Sequence, residues 1–232
     1  MKRSTEIKIK FILEELLPPI LRDSRWFSSL LLKLAFGANS IYVKNFKQKA
    51  FTLTDREYRD IYRHVAQSQD DQSDLTDATI NAIIHHVKGY ESVDIGCGNG
   101  FLVEKLALRT ETCVTGVDIV LSSSLARSYP NINFLEARIE HLPFESNIYD
   151  TVICTHVLEH IRNIQWAIEE LRRITKQRLI VVVPKERPYR VTPNLHLHFF
   201  PYPELFVETM NPQTHYKCTI IGGDIFYYED RE

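Results

Sequence analysis

Five short apolar runs, at 92–95, 113–117, 132–135, 151–154 and 179–183, recur along the chain from residue 92 onward. Helical stretches separate them, the clearest at 101–108 and 164–175. Strands that alternate with helices cannot pair as tight hairpins. Each connection must cross over, and the outcome is a parallel sheet covered by helices on both faces. Two later runs, 216–221 and 225–228, sit on either side of Gly222-Gly223-Asp224. That spacing predicts a tight reversal, so the sheet is expected to close with an antiparallel hairpin. The expected class is α/β, with seven mostly parallel strands.

The chain up to about Ser73 reads differently. Ile9, Ile12, Leu13, Leu16 and Leu17 recur at helical spacing until Pro18-Pro19, a second apolar stretch runs over 26–36, and a third helix is expected over 54–67 with Tyr58, Ile61, Tyr62 and Val65 on one face. The polar run 67–73 is the best linker in the sequence, and a helix over 74–88, stopped by Gly89, follows it. The expected organisation is a helical cap over 1–73 and an α/β domain over 74–232.

Charge narrows the function. With 28 Lys and Arg against 30 Asp and Glu the net charge is −2, so no overall field favours nucleic acid as a partner. Residues 1–50 are nevertheless basic, ten positive side chains against four negative. The apolar run 30–36 is interrupted by Lys33 and falls short of the ~20 residues of a membrane span. Contact of this segment with an anionic membrane surface stays open. Cys97, Cys113, Cys154 and Cys218 form no C-x-x-C, and three lie in or beside apolar strands, which predicts reduced thiols and a cytosolic protein.

The stretch Val93-Asp94-Ile95-Gly96-Cys97-Gly98-Asn99-Gly100-Phe101-Leu102 carries the chemistry. It follows a strand and opens a helix, and its alternate glycines let main chain approach a ligand where a Cβ would collide. A dinucleotide loop would need glycine at 101, where Phe101 stands, and the Gly-Lys-Ser/Thr of a P-loop is absent. The spacing D-x-G-x-G-x-G at Asp94, Gly96, Gly98 and Gly100 resembles motif I of the class I S-adenosylmethionine-dependent methyltransferases. Thr115-Gly116-Val117-Asp118-Ile119, Ile139-Glu140-His141-Leu142-Pro143-Phe144 with Tyr149-Asp150-Thr151-Val152-Ile153, and Thr155-His156-Val157-Leu158-Glu159-His160-Ile161 resemble later motifs of the same family, in order, over roughly 75–185.

The resemblance implies the Rossmann-like class I methyltransferase fold with an N-terminal helical cap, S-adenosylmethionine as cofactor, and a small-molecule acceptor. It implies that Asp94 with the turn Gly96, Cys97 and Gly98 holds the methionine end, that Asp118 takes the ribose hydroxyls, and that Ile119 and Ile139 sandwich the adenine. Arg138 stands where the family often has an acid for the adenine amino group, so adenine recognition at this position is expected to rest on main chain and apolar contact. Thr155, closing the fourth strand, completes the expected cofactor positions.

Ligands of open α/β sheets lie beyond the carboxyl ends of the strands, so the loops after strands four and five should face the acceptor. His156 follows the fourth strand; His196 and His198 stand in the long connection 184–201 after the fifth. All three are candidate catalytic residues, and His196 or His198 can serve as general base near neutral pH. The alternative for that pair is a hydrogen-bonded loop anchored by Phe199 and Phe200. His156, Glu159 and His160, at i, i+3 and i+4 of an expected helix, would share a face and with His198 could form a metal site, but the resemblance implies that Val-Leu-Glu-His packs and caps a helix in members without a metal, and no metal is expected. Trp26, Phe27, Tyr42, Phe46, Tyr58 and Tyr62 are expected either to wall a lid over the acceptor or to form the core of the cap. Thr155-His156 replaces the Asn-Pro-Pro-Tyr-like loop of amino-methylating enzymes, which favours a small molecule over a macromolecule. The other readings are a lipid- or quinone-like acceptor at a membrane surface, and a non-catalytic cofactor-binding subunit.

Overall fold

The computed structural model describes residues 18, 20, 24, 26, 46–66, 73–109, 112–121, 125, 130–188 and 195–231. They divide into two compact units, one drawn from 1–70 and 186–199, the other from 71–185 and 200–232.

The larger unit is built on seven strands: β1 (Glu91–Ile95), β2 (Cys113–Asp118), β3 (Ile132–Glu136), β4 (Tyr149–Thr155), β5 (Thr175–Pro184), β6 (Tyr216–Ile221) and β7 (Asp224–Asp230). Their order is β3-β2-β1-β4-β5-β7-β6. The first five pair in parallel, with Asp94 opposite Gly116 on one side and Ile153 on the other. β7 runs antiparallel to β5 and β6. The hairpin turns at Gly222 and Gly223, both at positive φ (63° and 95°), as a two-glycine reversal requires.

Five consecutive residues of β5, Leu179 to Val183, are all fully buried, and the period of two divides them between faces. Leu179, Val181 and Val183 join one core with Ile168 and Leu171 of the helix Ile164–Ile174 and with Phe206 of the helix Pro203–Met210. Ile180 and Val182 join the other, with Ile83 of the helix Asp77–His86 and Leu106 of the helix Phe101–Arg109.

Helix starts follow local chemistry. Thr76 caps Asp77–His86 by accepting the Thr79 amide, and Asn163 caps Ile164–Ile174 by accepting that of Trp166. Pro203 opens the helix Pro203–Met210, which the proline-rich passage around it hides in the sequence. The helix expected to begin near His156 does not form. His156 itself has φ 54°, a single 3₁₀ turn covers Leu158–His160, and the helix waits for the Asn163 cap. The shared helical face expected of His156, Glu159 and His160 is therefore absent.

In the smaller unit, the short helix Phe46–Lys49 and the helix Asp55–Ala66 pack Phe46, Ala50 and Tyr58 with Leu195, and Tyr62 and Leu197 lie against them. Thr54 and Glu57 form a capping box at the start of Asp55–Ala66: the Thr54 amide donates to Glu57 at 2.8 Å and the Glu57 amide to the Thr54 hydroxyl at 3.3 Å. Tyr58 packs at a tilt between Phe46 and Tyr62, with ring centroids 5.6 and 5.1 Å away, so these aromatics form the core of this unit. The helix expected over 9–17, most of that over 26–36, and Phe27 and Tyr42 lie outside the described residues; Trp26 is exposed. No helix among the described residues is long and apolar enough to cross a membrane.

Candidate functional site

The candidate site forms where β1 and β2 end side by side. The Gly96 and Cys97 amides both donate to the Val117 carbonyl, at 2.7 and 3.0 Å, which carries the parallel ladder past Ile95 and aims the turn along the sheet edge. Gly96, Gly98 and Gly100 all have positive φ (83°, 53° and 80°). At Gly96 a Cβ would lie 2.1 Å from Val157 Cγ2, so glycine is required there by both backbone and packing. At Gly98 a Cβ would meet no atom of the described residues within 4 Å, so the turn is open on that side.

Asp118, the last residue of β2, bridges the two strand ends. One oxygen accepts the Gly98 amide at 2.8 Å and the other that of Val120 at 3.2 Å. Burial raises its pKa, and the main-chain donors partly oppose that rise. A carboxylate has about four lone-pair sites, so capacity remains for further donors. Asp94 is 1% exposed, and its Oδ1 has no hydrogen-bond partner among the described residues. Burial, and then the charge of Asp118, push its pKa from 3.8 to about 7. A buried acceptor without a donor is costly unless a ligand supplies one.

The remaining expected cofactor positions divide. Cys97 is buried, its thiol held protonated chiefly by burial. Ile139 is buried within the larger core and Ile119 is half-buried. Arg138 pairs with Glu140 at 3.0 Å, so the cation that replaces the usual acid is already neutralised by its neighbour. Thr155 closes β4, and its successor His156 donates its amide to Val182 at 2.9 Å.

The three histidines meet different surroundings. His156 lies between two buried carboxylates: Nδ1 is 3.6 Å from Glu159 and Nε2 is 3.5 Å from Asp224. Burial works against its charge, but Asp224 and Glu159 outweigh it and the pKa is raised. His196 is buried in the smaller unit, with Nδ1 in hydrogen-bond contact with the Glu186 carboxylate. His198 is half-buried. Glu186 and Asp224 are the residues that sequence reasoning missed. Glu186 lies ten positions before its histidine and Asp224 begins β7, so neither has a spacing signal.

The crevice suits a cofactor with an ammonium at one end and a diol further on. Residues 93–183 match the methyltransferase domain family. This stretch matches a methyltransferase domain, and its strand order and glycine turn resemble the class I, S-adenosylmethionine-dependent methyltransferases. The methyltransferase fold is shared with a methyltransferase from Aquifex aeolicus, at a TM-score of 0.55 and 16% identity, covering 72% of this chain and 96% of that one. Over 110 residues the chain is 34% identical to the ubiquinone biosynthesis O-methyltransferase of Rickettsia prowazekii, covering 45% of this chain and 43% of that protein. It is 32% identical over 98 residues to the protein of the same name from Paracidovorax citrulli, covering 39% and 41%. The chain thus spans less than half the length of these curated relatives. In the methyltransferase domain, S-adenosylmethionine fits three features: the orphaned Asp94 oxygen, the open space at Gly98, and the acceptor capacity left on Asp118.

Proposed function

We propose that this protein is an enzyme transferring a methyl group from S-adenosylmethionine to an O, N or C nucleophile of a small molecule. The observation that carries the reading is the Gly98 amide held on Asp118 beside the unsatisfied Asp94. When bound, the cofactor supplies an electrophilic methyl group on a sulfonium. Asp94 would take the ammonium, the open turn at Gly96, Cys97 and Gly98 would admit the methionine end, and Asp118 would accept the ribose hydroxyls. Ile119 and Ile139 would flank the adenine, with Arg138 contributing main chain and Thr155 bordering the crevice from β4. Positioning supplies much of the rate in such a displacement, and a base is needed only when the acceptor arrives protonated.

Among the histidines, His196 is best equipped as that base. A carboxylate on Nδ1 fixes the tautomer in which Nε2 is the acceptor, the arrangement that makes imidazole an effective general base. His156, set between Glu159 and Asp224, is assigned a positioning role, and His198 remains the second candidate base. In this reading the catalytic domain is residues 74–232, preceded by residues 1–73, and the buried free thiols of Cys97 and Cys154 suit a reducing cytosol. Incubation of purified protein with methyl-labelled cofactor and cell extract tests the reading. Label in a small metabolite is expected; label confined to RNA or protein contradicts it.

A second reading makes the acceptor a phenol of a quinone-like lipid, methylated on oxygen. It rests on the similarity to the Rickettsia and Paracidovorax enzymes named for ubiquinone biosynthesis. Partition of the labelled product into organic solvent would favour it.

A further inference from the structure

We infer that the arginine-lined cleft on the helix Asp55–Ala66 binds a phosphate group. The site lies wholly within the smaller unit and does not depend on the methyltransferase reading. Tyr58, Ile61 and Tyr62 take one side of the helix into the core of that unit. Arg56, Arg59 and Arg63, at i, i+3 and i+7, share the opposite side. They line a cleft of about 390 Å³ together with Asp60.

Charge in this cleft is unbalanced. Asp60 pairs with Arg63 at 3.3 Å, while Arg56 and Arg59 have no ion pair or hydrogen bond among the described residues. Three guanidiniums and one carboxylate leave a net charge of +2. Like charges at this spacing destabilise a helix, so the cluster is not explained by helix stability. The Arg59 Nε is also buried without a hydrogen-bond partner. A buried N–H needs an acceptor, and no group among the described residues provides one.

A dianion supplies both the missing charge and the missing acceptor. Guanidinium forks match the tetrahedral oxygens of phosphate, which accepts from several at once. The volume falls in the range of small-ligand clefts and exceeds what a bare ion fills, so the expected ligand is a phosphate monoester or diphosphate. It would come either as a soluble compound or as a lipid headgroup.

The test uses the full chain and three probes by titration calorimetry and co-sedimentation: pyrophosphate, inorganic phosphate, and vesicles of phosphatidylglycerol in phosphatidylcholine. Saturable binding of pyrophosphate, weakened at least tenfold in both Arg59→Gln and the exposed Arg56→Gln, is expected for a soluble ligand. Vesicle binding weakened to the same degree in both variants, without pyrophosphate binding, identifies a headgroup and equally supports the site. Arg59→Lys, which keeps the charge and loses the fork, should recover only part of the affinity. Thermal melts of each variant separate loss of binding from loss of folding. Absence of binding to all three probes overturns the inference, as does binding that Arg56→Gln and Arg59→Gln leave unchanged while they melt like the parent.

Discussion

The Asp118 carboxylate accepts the Gly98 amide hydrogen at 2.8 Å, and so ties the end of β2 to the glycine turn that leaves β1. The same carboxylate both shapes the turn and offers its remaining lone pairs to a ligand. Binding at this crevice and the local fold therefore share one side chain.

Gly96 and Gly98 should respond differently to alanine. Both sit at positive φ, which costs an L residue about 1 kcal/mol. Gly96→Ala also drives a methyl into Val157 at 2.1 Å, so its melting temperature should fall much further than that of Gly98→Ala. In Gly98→Ala the new methyl enters open space, and the cofactor analogue sinefungin should lose affinity although the protein remains folded. Paired melts and calorimetric titrations check this; equal melting temperatures would contradict the packing argument.

Asp94 makes stability depend on pH. Its folded pKa, about 7, lies above the ordinary 3.8, so between those values the folded state keeps a proton that the unfolded state has released. The contribution is full below about pH 4 and is lost as pH rises through about 7. Ligand-free protein should melt at a lower temperature at about pH 8 than at about pH 5.5. Asp94→Asn should flatten that dependence. Affinity for a ligand ammonium should rise over the same interval in the parent, because Asp94 becomes anionic, and stay level in Asp94→Asn.

These features were unequally legible in the sequence. The run 179–183 announced a doubly buried strand because five consecutive apolar residues leave no polar face, and the structure divides them between two cores. Asp94 and Asp118 were legible for a related reason: a strand–turn–helix with glycines at alternate positions needs its acids where the strands stop. Pairings remote in sequence were not. Asp224 reaches His156 across 68 positions, and a sequence carries periodicity within an element but no sign of which loop returns to which strand end. His156, Glu159 and His160 kept helical spacing but not a helix, because a left-handed residue and the Asn163 cap delay it.

Asp224 should control the ionisation of His156. With Asp224 and Glu159 raising its pKa, His156 adds stability that is fully present below the ordinary 6.5 and is lost as pH rises through its higher folded value. Asp224→Asn should lower the pKa of the His156 ring, followed by NMR of its carbon-bound protons, and narrow that stabilisation. An unchanged ring pKa would show that the 3.5 Å contact carries no coupling.

Glu186→Gln should leave sinefungin affinity unchanged and lower kcat by roughly ten- to a hundredfold, because the carboxylate that sets the His196 tautomer is gone. His196→Ala should lose at least as much. If His196→Ala turns over at the parental rate, the base is not His196.

The most direct test of the central claim is titration of sinefungin into the parent and into Asp118→Ala. The parent should bind, and the variant should bind at least about a hundredfold more weakly, near 3 kcal/mol, while melting as a folded protein. Undiminished binding in Asp118→Ala, or a crevice that takes a nicotinamide dinucleotide and refuses sinefungin, would contradict it.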